Sequence, residues 1–463
     1  MKNYTYAPHP SIAGTACILA SIGAALISYP DQDTATAMAS ASAMPVAIGY
    51  LGSLFFDLQK GGLRNLLRTD LLALVGLYAL TLAEFLFSQE DVYEVMTTPT
   101  ETSLSIQIVL AGIAAMAVGR HLVKPQRIKA KWATLNDLSN DALFVLIMVC
   151  TILGTLFMLL AVDFKIFGED SMIYHMQGAR FTQPWSRGRL GGFNTLINEF
   201  ALLLYAVPPL TGVVINRWKV FPKPKFVVVL IACTLVMFHG IAGGTRNVFV
   251  AYLATFMMGY LLTLKKNKIL NTLLPIVVAV WLTGFISYHM LEFRTIGMRN
   301  YIANEVYKTE SGRDSLAVDY NLASIGALAI NMPSNHDFVG SEIIVWSLIK
   351  PIPRALWKGK PEGLSVSVEE VVGAEGWTVA VTYLGEAYMV AGVPGVIAIS
   401  AFLGALASWW NRMAIMPQSD YALVVYALGF FAAGLTMRSM LWLTTAILPV
   451  IALILFRKYA PVK

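Results

Sequence analysis

The chain is constrained above all by twelve apolar segments, each about as long as a lipid bilayer is thick. A helix that crosses the hydrocarbon core needs about 20 apolar residues. We therefore predict an all-α polytopic membrane protein, a single domain over residues 1–463, with about twelve transmembrane helices. The predicted helices lie near residues 11–29, 35–57, 70–88, 103–119, 142–163, 193–215, 226–242, 247–264, 269–290, 389–410, 421–437 and 441–456. Only 13% of the residues are charged, against about 25% in soluble proteins, which excludes a soluble globular fold.

The loops between these helices give the orientation. Short loops on the cytoplasmic side of a membrane are enriched in Lys and Arg. If the helices alternate in direction, every strongly basic loop falls on one side of the membrane. These loops are 58–69, 120–141, 216–225, 265–268 and 457–463. The loops 30–34 and 89–102 fall on the other side and hold no Lys or Arg, so we expect both chain termini in the cytoplasm.

Two segments between the predicted helices are too long to be simple turns. Residues 164–192 form a medium loop and residues 291–388 a large one, both on the side opposite the basic loops. Loops of this length are usually functional or disordered. The large loop contains Trp346, Trp357 and Trp377, which is not the composition of a disordered segment. We predict that it forms short helices that lie at the membrane surface or re-enter the bundle.

Arginine is frequent on this outer side, where the topology rule does not expect it. Outer loops should be poor in Lys and Arg, although long loops are partly exempt. The outer arginines are Arg180, Arg187, Arg189, Arg246, Arg294, Arg299, Arg313, Arg354 and Arg438. Arg246 and Arg438 occupy very short loops, where a cation works against the expected topology. We infer that another role favours them.

These arginines are suited to an anion near the outer leaflet. A guanidinium group binds phosphate through two parallel hydrogen bonds and keeps its charge when it loses water. The pyrophosphate of a lipid carrier is such an anion. The alternative is that each arginine reaches phospholipid headgroups or pairs with an acidic residue of a loop. The net charge of +6 does not indicate nucleic-acid binding, because basic residues of membrane proteins first serve topology and lipid contact.

Ionisable residues gather at the outer ends of the predicted helices. Glu199 is predicted two turns into the sixth helix, roughly 9 Å deep at about 1.5 Å per residue. His289 ends the ninth helix, and Glu386 opens the tenth. Ionisable groups inside a membrane are costly and are functional candidates by default. A structural ion pair between two helices explains Glu199 equally well.

Three segments, in this order, resemble one enzyme family. The first is 243–247, Gly-Gly-Thr-Arg-Asn, between two helices. The second is 353–361, Pro-Arg-Ala-Leu-Trp-Lys-Gly-Lys-Pro, in the large loop. The third is 383–388, Tyr-Leu-Gly-Glu-Ala-Tyr, followed by Gly-Val-Pro-Gly at 392–395. Together they are similar to the Wzy-type oligosaccharide repeat-unit polymerases, which include the O-antigen and enterobacterial common antigen polymerases, over roughly residues 165–410.

The resemblance implies a glycosyltransferase of the bacterial inner membrane that faces the periplasm and acts in lipopolysaccharide biosynthesis. Such an enzyme takes a glycan from an undecaprenyl pyrophosphate donor and adds it to the end sugar of another lipid-linked repeat unit. Its partners would be these two substrates, the membrane lipids and a regulator of polysaccharide chain length. Lys358 stands where the resemblance leads us to expect proline, a departure that concerns the local turn.

The chemistry of this reaction assigns roles to the candidate residues. The bond from sugar to pyrophosphate is already activated, so positioned cations that stabilise the leaving phosphate are the main requirement. We therefore expect neither a metal ion nor another cofactor. The residues expected to bind the pyrophosphate are Arg246, Arg294 and Arg354, followed by Arg180 and Arg438. The candidates for the general base are Glu386, then Glu199 and His289. The aromatic residues expected to stack on sugars are Tyr383, Tyr388, Trp357 and Trp377, although each also fits the interfacial aromatic belt.

Two other functions fit parts of the sequence. One is an O-antigen ligase, or a glycosyltransferase that uses a polyprenyl-phosphate sugar. The acidic pair Asp31 and Asp33 in the first outer loop fits the latter, although such a pair is typical of a solvated turn. The other is a flippase or transporter of lipid-linked oligosaccharides. Transporters commonly contain internal repeats and broken helices near the midplane of the membrane, and the sequence contains no evident repeat.

Overall fold

Helices form the regular structure of this protein. The computed structural model describes residues 8–87, 92–186, 197–264, 269–303, 320–352, 356–374, 379–415 and 419–459. No β-strand occurs among these residues. The predicted all-α class is therefore confirmed for the described part of the chain.

The α-helices are numbered in chain order. They are α1 Ile12–Ser28, α2 Ala35–Gly61, α3 Thr69–Thr81, α4 Val92–Met96, α5 Pro99–Gly119, α6 Asn140–Ala161, α7 Met172–Met176, α8 Val207–Asn216, α9 Lys223–Ala242, α10 Arg246–Thr263, α11 Ile269–Ile296, α12 Met298–Ala303, α13 Asn321–Asn331, α14 Glu342–Ile349, α15 Val368–Val371, α16 Thr382–Trp410, α17 Asp420–Arg438, α18 Leu443–Ala446 and α19 Leu448–Tyr459. The 3-10 helices are Leu63–Leu66, Ala83–Leu86, Lys131–Ala133, Arg180–Thr182, Glu199–Ala206, Asn411–Ala414 and Met440–Trp442.

Nine helical runs of the described residues are long and apolar enough to cross a membrane. They are Ala35–Gly61, Pro99–Gly119, Asn140–Ala161, Glu199–Asn216, Lys223–Ala242, Leu270–Met290, Thr382–Ala414, Asp420–Arg438 and Met440–Lys458. Shorter apolar helices are α1, α3 and α13. Each of the twelve predicted segments contains helix, so the protein is a helical membrane protein, while the number twelve stays a prediction.

Polar caps mark where several of these helices begin. The side chains of Ser11, Thr34, Thr98, Ser139 and Ser419 each accept a hydrogen bond from a backbone N–H in the first turn. Such a cap satisfies one of the four N–H groups that a helix leaves without a partner at its start. The caps therefore explain how apolar helices begin sharply beside polar loops.

The loops predicted to be cytoplasmic meet at one end of the bundle. Arg217 pairs with Asp137 at 2.5 Å and with Asp420 at 2.8 Å. The Nε of Arg457 donates to the carbonyl oxygen of Asn136 at 3.0 Å. These contacts join connections that are far apart in the sequence, as helices of alternating direction require. We call this the basic end and the opposite one the far end.

A cluster of four fully buried charges lies near the basic end. Arg68 donates to Asp57 at 2.8 Å and to both carboxylate oxygens of Asp70, at 3.0 and 3.2 Å. Arg120 lies 3.7 Å from Asp70, and Asn411 also bonds to Asp70. Burial alone would lower the pKa of Arg68, but the two carboxylates raise it above its usual value. This buried ion cluster ties α2, α3, α5 and the end of α16 together.

The sixth predicted helix contains a 3-10 stretch. Residues 197–198 are helical, and Glu199, predicted two turns inside this helix, begins the 3-10 helix Glu199–Ala206 with an exposed side chain. Pro208 and Pro209 begin the following helix α8, and neither can donate a backbone hydrogen bond to the preceding turn. The tighter 3-10 winding of residues 199–206 is consistent with this loss. Residues 193–196 of the prediction lie outside the described residues.

The long helix α16 is in fact a hairpin of two helical arms. Ala391 and Gly392 have non-helical backbone angles, with φ of −162° and 66°. The Tyr383 hydroxyl forms a hydrogen bond of 2.9 Å with Ser400, although these residues would stand about 25 Å apart in a straight helix. A Cβ on Gly395 would lie 2.5 Å from the Ala387 carbonyl oxygen. Residues 382–390 therefore fold back along residues 392–410.

This geometry corrects the position predicted for Glu386. The sequence placed it at the lip of a helix beginning at residue 389, whereas it is buried in the arm 382–390. The second arm leads to Asn411 at the basic end, so the turn at Gly392 points to the far end. The first arm starts inside the bundle. Tyr383, next to Thr382, bonds to Ser400, which lies roughly 12 Å below the turn at about 1.5 Å per residue. We call residues 382–390 the re-entrant arm.

Candidate functional site

The glycine-rich turn before Arg246 packs directly against the end of α11. Gly244 has a φ of 61°, a backbone conformation that favours glycine. A Cβ on Gly244 would lie 2.8 Å from the Cα of Arg294. Glycine at this position therefore allows the turn to touch the backbone of Arg294. As a result, two of the predicted pyrophosphate ligands begin and end neighbouring helices at the far end.

A third predicted ligand joins Arg294 through a shared aromatic ring. The guanidinium carbons of Arg180 and Arg294 lie 5.6 and 5.7 Å from the centroid of the Phe181 ring. Cations are attracted to the face of such a ring, while the two like charges repel each other. An anion held between these groups would lower that repulsion.

An aromatic layer fixes the relative heights of three further elements. The ring of Tyr205 lies 4.9 Å from that of Tyr252 in α10 and 4.9 Å from that of Phe431 in α17. Ring contacts at this distance require that the three elements pack side by side. From this layer, all three elements can be followed toward the far end.

The far ends of these three elements carry Glu199, Arg246 and Arg438. Glu199 precedes Tyr205 in the 3-10 helix by about 12 Å, at about 2.0 Å per residue. Arg246 and Arg438 lie about 9 and 10 Å from Tyr252 and Phe431, at about 1.5 Å per residue. The glutamate and the two arginines therefore stand at similar heights above the layer on adjacent elements.

Four of the five predicted pyrophosphate ligands thus lie at the far end. We call Arg180, Arg246, Arg294 and Arg438 the arginine site. Arg354, the fifth, lies outside the described residues. Guanidinium groups offer charge-assisted hydrogen bonds to phosphate oxygens, which is the chemistry that a pyrophosphate group requires.

The first candidate for the general base, Glu386, is engaged in hydrogen bonds within the bundle. Its Oε1 accepts from the Ser439 hydroxyl, and its Oε2 accepts from the Met440 N–H at 2.6 Å. Ser439 and Met440 form the break between α17 and α18. Nearby, the Nζ of Lys350 lies 4.2 Å from the centroid of the Trp442 ring. Glu386 therefore joins the re-entrant arm to a second interrupted helical segment.

The third candidate, His289, is held by a tyrosine. Its Nδ1 lies 2.7 Å from the Tyr301 hydroxyl in α12. The ring of Phe285 packs against the imidazole at 4.9 Å. His289 thus belongs to an aromatic group along α11 that ends beside the arginine site.

Three of the four predicted sugar-stacking residues lie within the described part of the chain. Tyr383 is fully buried, so the structure gives it a packing role and its contact with a sugar stays a prediction. Tyr388 is half-buried, and its hydroxyl donates to the Met332 carbonyl oxygen at 3.4 Å. Trp357 is exposed, while Trp377 lies outside the described residues.

Two further findings bear on the alternatives. Asp31 and Asp33 are both exposed in the turn between α1 and α2, as expected of a solvated turn. Within the described ranges, no three His, Cys, Asp or Glu side chains group as ligands for a metal ion.

Comparisons with family models, with curated proteins and with solved structures found no match to this chain.

Proposed function

We propose that the protein is a membrane glycosyltransferase that polymerises oligosaccharide repeat units carried on undecaprenyl pyrophosphate at the periplasmic face. The observation that supports it most is the arginine site, which places cations from four separate parts of the chain at one end of the bundle. Its position at the end opposite the basic loops is consistent with a site outside the cytoplasm. The motif resemblance described above supplies the reaction.

In this proposal the arginine site binds the pyrophosphate of the donor. The acceptor hydroxyl attacks the anomeric carbon, the bond from that carbon to the pyrophosphate oxygen breaks, and the pyrophosphate leaves with the bonding electrons. Arginines positioned at the leaving oxygen stabilise the charge that develops there. Arg354 is proposed to join them from the large loop.

We assign the general base to Glu199. It is exposed at the far end and stands at a height similar to that of Arg246 and Arg438, where an acceptor hydroxyl could reach it. A base must approach the proton it removes to within hydrogen-bonding distance, and the exposed carboxylate meets this condition better than the buried one of Glu386. His289, held by Tyr301, remains a further candidate.

The decisive experiment incubates the purified protein with a synthetic lipid-pyrophosphate repeat unit. A ladder of longer products is expected from the wild type. Arg246→Ala and Arg294→Ala should each reduce the rate by about 100-fold or more, the scale seen when one charge-stabilising group is removed. Arg354→Ala should behave in the same way.

The matched control is Arg412→Ala, which removes one guanidinium group at the basic end. Arg412 bonds there to the carbonyl oxygen of Gln126, far from the proposed site. Its product ladder should be normal. Wild-type rates in both Arg246→Ala and Arg294→Ala would overturn the assignment of the arginine site.

The second candidate function is transport of lipid-linked oligosaccharides. It is favoured by the re-entrant arm and by the break after Arg438, because transporters place interrupted helices inside the bundle around their substrate. Protein reconstituted in liposomes separates the two functions. Movement of the labelled lipid across the bilayer without new glycosidic bonds would support transport and exclude the polymerase.

A further inference from the structure

The helix α11 is covered by the rest of the protein less than any other candidate span. None of the side chains in its most apolar stretch within Leu270–Met290 is buried. In a bilayer such a helix is surrounded by lipid chains over most of its surface. Its side chains therefore decide which kind of lipid chain packs best against it.

An aromatic stripe runs along one side of this helix. It consists of Trp281, Phe285 and His289, which are spaced four residues apart and so share one face. The rings of Trp281 and Phe285 are stacked, with centroids 5.4 Å apart and planes at 14°, and Phe285 contacts His289 at 4.9 Å. Trp281 is 62% and Phe285 52% exposed. The stripe extends for about 12 Å along the helix.

The upper end of the stripe is attached to the arginine site. Tyr301, which bonds to His289, lies in α12, which begins directly after Gly297 and also contains Arg299. A Cβ on Gly297 would lie 2.7 Å from the backbone nitrogen of Ala179, and the Arg299 N–H donates to the Gln177 carbonyl oxygen at 3.1 Å. The turn and the short helix that follow α11 therefore pack against residues 177–179, which lead into Arg180.

We propose that the aromatic stripe binds the isoprenoid chain of the lipid-linked substrate, at the units next to the pyrophosphate. The inference rests on the proposed function, because the arginine site would hold the pyrophosphate from which this chain departs. Arg294 follows His289 by five residues, about 7.5 Å along α11 and about 140° around it, so the chain of a lipid anchored at Arg294 passes around the helix before it reaches His289 and Phe285. Branched, unsaturated isoprene units present methyl groups and double bonds to the ring faces, which favours them over straight saturated chains.

The test measures binding of two short lipids that carry the same headgroup. Farnesyl pyrophosphate has an isoprenoid chain, and dodecyl pyrophosphate has a straight saturated chain of similar length. The wild-type protein in detergent should bind the farnesyl compound about tenfold more tightly, a difference of about 1.4 kcal/mol. Trp281→Leu/Phe285→Leu keeps the surface apolar and should bind the two compounds equally.

Two controls separate this inference from the proposed function. Leu273→Ala/Val280→Ala removes exposed apolar side chains from the other flank of α11 and should keep the tenfold preference. Arg294→Ala should weaken binding of both compounds equally. Equal binding of the two compounds by the wild type, or an unchanged preference in Trp281→Leu/Phe285→Leu, would refute binding of the isoprenoid chain by the stripe. The polymerase proposal would not be affected by either result. Unchanged binding of both compounds by Arg294→Ala would instead overturn the proposed function and, with it, the assignment of the stripe.

Discussion

The hydrogen bonds of Glu386 lead to a prediction about how this residue acts. Its carboxylate connects the re-entrant arm to Ser439 and to the Met440 N–H. We predict that Glu386 is a positioning residue, which holds the arm in place, and that it does not remove the substrate proton itself. Glu386→Gln and Ser439→Ala should then cause the same kind of defect.

The size of the defect follows from how these two hydrogen bonds change. Glutamine can accept from the Met440 N–H and donate to the Ser439 oxygen, so both bonds can persist, but neither involves a charged group any longer. A hydrogen bond to a charged group contributes about 1.5–3 kcal/mol and a neutral one about 0.5–1.5 kcal/mol, so the two bonds together lose roughly 2–3 kcal/mol. Such a loss would increase opening of the arm by about 30- to 150-fold, since 1.4 kcal/mol is a factor of ten. Ser439→Ala removes one bond and should increase opening by roughly 10- to 150-fold.

Opening is measured by hydrogen–deuterium exchange of the amides at residues 382–390, and function by the rate of product formation. Both variants should exchange faster than the wild type and turn over more slowly. Ser324→Ala is the control, because its hydroxyl only donates to the Tyr320 carbonyl oxygen within its own helical region. Normal exchange and full activity in Ser439→Ala, together with loss of activity by about 100-fold or more in Glu386→Gln, would show instead that Glu386 is the base.

Three further predictions concern other parts of the fold. Arg68→Met removes the cation that bonds to both buried carboxylates and should destabilise the protein by roughly 3–5 kcal/mol, seen as earlier unfolding on heating in detergent. Adding Asp57→Asn leaves Asp70 with Arg120, 3.7 Å away, and should recover part of that stability; a double variant less stable than the single one would contradict this reasoning. Gly244→Val should weaken farnesyl pyrophosphate binding by tenfold or more, because a side chain cannot fit against the facing helix; unchanged affinity would refute the close approach. Burial would raise the pKa of Glu94, but hydrogen bonds from the start of α2 outweigh burial and lower this pKa. The Glu94 carboxylate therefore stabilises the folded state above its usual pKa near 4.5, and this stabilisation is lost as the pH falls below that value. Glu94→Gln should therefore lose less stability than the wild type between pH 7 and pH 4 in thermal unfolding.

The membrane helices were predictable because each apolar segment carries its own signal. Length and composition locate a span without any knowledge of its neighbours. The sequence predicted short surface or re-entrant helices somewhere in residues 291–388, but it could not locate the re-entrant arm, because nine residues that include Thr382, Gly385 and Glu386 are too few and too polar for a predicted span. The backbone angles at Ala391 and Gly392 and the contact of Tyr383 with Ser400 show where the chain turns back.

The buried ion cluster could not be predicted from the sequence for a different reason. Arg68 and Arg120 were counted among the cations of cytoplasmic loops, and they do lie near the basic end. Their burial depends on Asp57, Asp70 and Asn411, which belong to three different helical elements. A hydropathy or charge pattern carries no information on such pairing. The arginine site could be anticipated residue by residue from topology, whereas its shared ring and the role of Gly244 required the packing of helices.

The contact between Asn411 and Asp70 also bears on how the protein is made. The first three helices bring Asp57, Arg68 and Asp70 into the membrane early in synthesis. The amide that completes their hydrogen bonds is translated more than three hundred residues later. During this interval the nascent chain must shelter partly satisfied charges from lipid, within the insertion machinery or at the water interface. Chains truncated before the second arm of α16 are thus natural targets for membrane quality control.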